Sequence, residues 1–61
     1  MKRGDKLTLM GHPSWECAVV GHWCGNIVLQ HLDPAKEDLL VYTPEEIDLM
    51  ISEGHARRER S

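Results

Sequence analysis

Between Lys6 and Tyr42 the chain is cut into four short apolar runs, with no helical stretch between any two of them. Lys6-Leu7-Thr8-Leu9-Met10 alternates apolar and polar residues until Gly11-His12-Pro13-Ser14 breaks it. Trp15 to Trp23 is rich in Val, Trp and Cys and ends in Cys24-Gly25-Asn26, a tight turn. Ile27 to Leu32 stops at Asp33-Pro34, and Leu39-Leu40-Val41-Tyr42 follows a polar loop. Gly and Pro punctuate a chain because their dihedrals suit turns, and Pro13 has no N–H to give a ladder. Short strands at close spacing, without crossover helices, pair antiparallel. In the second run Trp15, Cys17 and Val19 share one face, and Ala18, Val20 and His22 the other. Gly21 predicts a bulge or sharp bend, which a small barrel needs to close. The expected fold is all-β, a twisted barrel of four to five short antiparallel strands.

After Tyr42 the period changes. Thr43 is an N-cap, Pro44 fits the first helical position, and Glu46 completes a Thr-x-x-Glu capping box. Glu45 and Glu46 lie at the positive end of the helix dipole. Ile47, Met50 and Ile51 form an apolar stripe at i, i+3 and i+4, suited to covering the open end of a barrel. Gly54 ends the element as a left-handed cap. A barrel over residues 1–54 with a closing helix at about 44–53 is therefore expected, followed by a disordered basic tail over 55–61.

A chain of 61 residues buries only about 60% of its unfolded surface, so a partner subunit is the first stabilising device to expect. Residues 1–54 carry four Lys/Arg against nine Asp/Glu, whereas 55–61 carry three Arg against one Glu. An acidic body repels phosphate backbones, which disfavours nucleic acid except at Arg57, Arg58 and Arg60. No run approaches the ~20 apolar residues of a membrane span, and no apolar signal-peptide core follows Met1-Lys2-Arg3. The sequence thus places the chain in the cytoplasm, where Cys17 and Cys24 are expected as thiols, a pair of small buried hydrophobes in the core.

Gly4-Asp5, Trp15, Val19-Val20-Gly21 and Cys24 stand at spacings that resemble those of the type II dihydrofolate reductases. Tyr42 with Thr43-Pro44-Glu45-Glu46-Ile47 is similar to the end of that family's last strand and its closing turn. The resemblance spans roughly residues 4–50 and implies an SH3-like barrel. It also implies a tetramer whose central pore holds folate and NADPH, lined by a Gln-Ile-Tyr run and a lysine. At those positions this chain has Leu40-Val41-Tyr42 and Leu9, so Tyr42 matches while the amide and the positive charge are replaced by aliphatic side chains. A site for polar ligands loses heavily when its hydrogen-bonding groups vanish. A weaker similarity, of Gly25-Asn26-Ile27-Val28 and Glu45-Glu46-Ile47 to the carbon-storage RNA-binding regulators, lacks that family's first strand.

His12, Cys17, His22, Cys24 and His31 are the residues from which a zinc site could be built, but no Cys-x-x-Cys knuckle is present. No metal is expected, and no catalytic residue unless a reductase site persists at Tyr42 and Val41. Trp23 beside its turn, with Leu39, Leu40 and Tyr42 on a strand apolar on both faces, is the expected partner-binding surface. The sequence points first to a non-enzymatic interaction module, a homodimer or higher oligomer that binds a protein partner without a cofactor. The alternatives are a divergent NADPH-dependent reductase and a barrel that touches nucleic acid through its Arg tail.

Overall fold

Alternating side chains and well-placed turns build five strands and one helix: β1 (Lys6–Leu9), β2 (Trp15–Trp23), β3 (Asn26–His31), β4 (Leu39–Tyr42), α1 (Pro44–Ser52) and β5 (Ala56–Glu59). The computed structural model describes residues 1–59. The strands form one antiparallel sheet in the order β4-β3-β2-β1-β5. This is the small all-β fold with a helix near its C-terminal end that the turn spacing and capping signals predict.

The β2–β3 hairpin closes through Cys24 and Gly25, both at positive φ, 51° and 79°. A two-residue turn of that kind matches the right-handed twist of the strands it joins, and glycine accepts the second position without a Cβ clash. Within the hairpin Val19 pairs with Leu29 but Gly21 pairs with Val28, so Val20 is the extra residue of a β-bulge. The bulge resets the alternation. His22, opposite Ile27, moves to the side of Cys17 and Val19, whereas strict alternation from Cys17 placed it on the other face. His22 stays exposed at the strand end, its Nε2 2.9 Å from the Met1 carbonyl oxygen.

The buried side chains of four strands and the helix meet in one cluster: Leu7, Cys17, Val19, Ile27, Leu29, Ile47 and Ala56. Met50 and Ile51 pack against it, so the apolar stripe of α1 faces the sheet as its spacing requires. The capping box is complete. Glu46 N donates to Thr43 Oγ1 at 3.1 Å, and Thr43 N donates to Glu46 Oε1 at 3.0 Å. Such a cap is worth about 1 kcal/mol. Gly54, at φ 80°, turns the chain out of the helix.

The segment after Gly54 corrects the expectation of a disordered tail over 55–61 as far as Glu59, residues 60 and 61 lying outside the described residues. Ala56–Glu59 is β5, paired with β1 from Leu9↔Ala56 to Lys6↔Glu59. Its composition is poor for a strand, but β1 would otherwise be an open edge beside the core, and ladder bonds outweigh weak local preference. The barrel therefore runs to Glu59, and the helix is followed by a strand. No helix among the described residues is long and apolar enough to cross a membrane.

Candidate functional site

Two surfaces stand out, and the strand register makes both. The first is the outward face of the sheet. On β2, β3 and β4 it carries Val20, Trp23, Val28, Leu39 and Val41, with the uncharged polar Asn26 and Gln30 among them and one charged residue, Glu16, at the β1 side opposite Thr8. Trp23 is 66% exposed, Leu39 57% and Val41 48%, a large exposure for three apolar side chains on one face, carried by two strands on either side of β3. On β1 and β5 the same face changes character. Lys6 stands opposite Glu59, Thr8 stands opposite Arg57, and Glu59 Oε1 accepts from Thr8 Oγ1 at 3.4 Å and from Arg57 Nη2 at 3.3 Å. One half of the sheet face is mainly apolar and the other is ionic.

The residues expected to bind a partner therefore divide. Trp23 and Leu39 face outward, and so does Val41. Leu40 and Tyr42 are half-buried against the core, because alternation along β4 turns them inward. Leu9, at the position of the resembled family's lysine, also packs on the core. Three of the four positions that would line a pore in that family, Leu9, Leu40 and Tyr42, thus pack on this chain's own core, and the fourth, Val41, faces outward. Tyr42 does reach one shallow hollow of about 380 Å³ with Leu9, Met10, Trp15, Met50 and His55, whose lining is mostly apolar.

The second surface is a cleft of about 510 Å³ where β2 begins and β3 ends, lined by Trp15, Glu16, His31, Asp33 and Lys36 among others. Cys17↔His31 is a paired position on β2 and β3, which sets the His31 ring beneath the opening. His31 is buried, with Nδ1 3.9 Å from Cys17 Sγ. The Trp15 ring meets His31 edge-on, 5.3 Å between centroids and 76° between planes. Lys36 Nζ lies 4.4 Å over the Trp15 ring. Asp33 holds the loop that brings Lys36 there, accepting from Ala35 N at its carboxylate and from Lys36 N at its carbonyl, both at 3.0 Å. Trp15 is more useful here than as a core filler, and neither Lys36 nor His31 could be assigned to it from the sequence. The pairing of Cys17 with His31 is what gathers them.

Cys17 and His31 are the one close thiol–imidazole pair among the described residues, and burial works against their use as a nucleophile. Burial pushes the Cys17 thiol above its ordinary value of 9.0, a rise that the Lys36 ammonium only partly offsets. Thiolate is the reactive form, so Cys17 is inert at neutral pH. Cys24, expected in the core with Cys17, is instead free and exposed, because it is the first residue of the two-residue hairpin turn. A thiol reagent at pH 7.5 is expected to modify Cys24 readily and Cys17 only after denaturation. Two thiols titrating at one rate in the folded protein would contradict the burial of Cys17. The same shift has a sign for stability: the folded state holds the Cys17 proton longer, so stability falls as pH rises from about 9 upward.

His12, Cys17, His22 and Cys24 do not come together; among the described residues no three His, Cys, Asp or Glu side chains gather at metal-binding distance. The Arg cluster also separates. Arg57 and Arg58 are neighbours on a strand and point to opposite faces, Arg57 beside Glu59 at 3.3 Å and Arg58 beside Asp5 at 3.8 Å. Each arginine has a carboxylate neighbour, so the pair offers no continuous cationic patch to a phosphate backbone. Arg60 lies outside the described residues. No family model, curated protein or solved structure matches the chain.

Proposed function

We propose that this chain is a small non-enzymatic interaction module that works as a homodimer, joined through the outward face of β2, β3 and β4. The observation that carries the reading is the partition of one sheet face into a mainly apolar half, whose one charged residue, Glu16, lies at its border with β1, and an ionic half. A two-fold interface sets each patch against its own copy, so any charge at its centre would meet a like charge. Val20, Trp23, Val28, Leu39 and Val41 avoid that cost, and the charged residues of β1 and β5 lie to one side. A thin core supplies the motive. Burying these side chains against a second copy adds apolar contact without adding chain. Trp23 is the natural anchor, as a large exposed ring at the hairpin tip.

Sedimentation velocity over a dilution series tests this. Wild type is expected to sediment as a dimer that dissociates on dilution. Val41→Asp, on the outward face, is expected to weaken the dimer by a factor on the order of 100 and to leave the circular dichroism spectrum unchanged, since a truncated or charged hot spot costs ~2 kcal/mol or more. Leu40→Asp is the wrong variant for this purpose, because Leu40 faces the core and its replacement would unfold the barrel. A wild-type chain that stays monomeric at every concentration overturns the proposal.

A further inference from the structure

The outward face leaves the Trp15 cleft without a task, and the chemistry of the cleft is that of a cation receptor. Indole is the best of the aromatic faces for holding a positive charge. Here the ring is steadied by the edge-on imidazole of His31. Glu16 and Asp33 line the same opening, one carboxylate oxygen of Asp33 being engaged by Ala35 N. One cation is already in place: the Lys36 ammonium sits 4.4 Å over the ring. The two ion pairs among the described residues lie elsewhere, at Arg57–Glu59 and Arg58–Asp5. Lys36 thus shares a cleft with two carboxylates, yet its close contact is with the indole.

The geometry points to the Trp15 cleft as a binding site for a lysine or arginine side chain of a partner polypeptide, with Lys36 occupying the ring until the partner arrives. The cleft, about 510 Å³, is much larger than one ammonium group and has room for a side chain and the backbone on either side of it. The turn based on Asp33 fixes the backbone of Lys36, while its four-carbon stem is free to swing away. When displaced, its ammonium is taken up by solvent at this exposed loop. The acidic body, nine carboxylates against four cations over residues 1–54, draws a basic peptide and repels a phosphate chain. This site lies at the mouth of the barrel and does not depend on dimerisation.

The test uses the full 15N-labelled chain and three blocked tripeptides, Gly-Lys-Gly, Gly-Arg-Gly and Gly-norleucine-Gly, at matched ionic strength. The indole N–H resonance of Trp15 is the readout and that of Trp23 the internal control. The Lys and Arg peptides are expected to shift Trp15 and leave Trp23 in place, while the norleucine peptide shifts neither. As peptide binds, the Lys36 ε-methylene protons are expected to move downfield as they leave the ring current. Lys36→Ala removes the resident competitor and is expected to bind about two- to fivefold more tightly. Trp15→Phe keeps a ring for folding and, followed through the backbone amide resonances of His31 and Lys36, is expected to bind more weakly. The same titration of Val41→Asp is expected to match wild type, which separates failure of this site from failure of the dimer. The proposal is overturned if Lys36→Ala shows no Trp15 shift with either cationic peptide up to about 20 mM. It is equally overturned if the norleucine peptide binds as well as the lysine peptide, since the cleft would then be a merely apolar groove.

Discussion

Replacing Ile47 with alanine is expected to remove a large share of the protein's stability. Ile47 is the one fully buried residue of α1, 1% exposed, and it packs into the same cluster as Leu7, Cys17, Val19, Ile27, Leu29 and Ala56. Truncating a buried Ile to Ala costs about 2–5 kcal/mol, because the barrel cannot collapse around the hole. A domain of this length holds roughly 3–9 kcal/mol in total, so one side chain carries a large share of it. Leu49, two residues along, is the control. It is 59% exposed on the far side of the helix, and its replacement by alanine is expected to change stability by less than ~0.5 kcal/mol. Urea titrations of the two variants should therefore give widely separated midpoints. Coincident midpoints would mean that α1 is not docked on the sheet through Ile47.

The contrast between these two residues reflects how much of the molecule was written locally. Thr43, Pro44, Glu46 and Gly54 define α1 by chemistry within one turn of each end, and Ile47, Met50 and Ile51 name its buried side. The hairpin at Cys24-Gly25 is equally local. At Gly21 the signal was legible and its consequence was not: the bulge could be expected, but only the pairing of Gly21 with Val28 shows that His22 changes sides. β4 was harder still. Leu39-Leu40-Val41-Tyr42 has a single polar group among four apolar side chains, so alternation gave no sign of which pair faces the core. Leu40 and Tyr42 do, and that decides which residues are available to a partner. The Trp15 cleft is a product of long-range register. Trp15 and Lys36 are distant in sequence, and His31 joins them only because it lies opposite Cys17.

β5 is the part of the fold that no local signal announces, and deleting it is the sharpest test of whether it belongs. Ala56-Arg57-Arg58-Glu59 carries three charged residues in four and reads as a solvated tail. Its strand character comes from β1, which provides a full antiparallel register from Leu9↔Ala56 to Lys6↔Glu59. The approach to it is also tied down: Met10 N donates to His55 O and His55 N donates to Met50 O, both at 2.8 Å. Ala56 is buried in the core cluster, and a larger side chain would not fit its place between Leu9 and the helix without displacing them. Ending the chain after Gly54 would strip the ladder from one side of β1 and bare Leu7, which is fully buried. Exposing one such leucine costs about 1.5–3 kcal/mol before any lost hydrogen bond is counted. The truncated chain is therefore expected to be largely unfolded at 25 °C, with a collapsed chemical-shift dispersion in its amide spectrum. A dispensable tail predicts the opposite outcome, a truncated chain whose urea midpoint matches the full-length protein. Ala56→Leu separates the two causes of a loss. If β5 matters through its close packing on the core, this variant destabilises by about 1–3 kcal/mol with every ladder partner still present. A neutral result there, together with an unfolded truncation, would assign the contribution of β5 to its pairing with β1 alone.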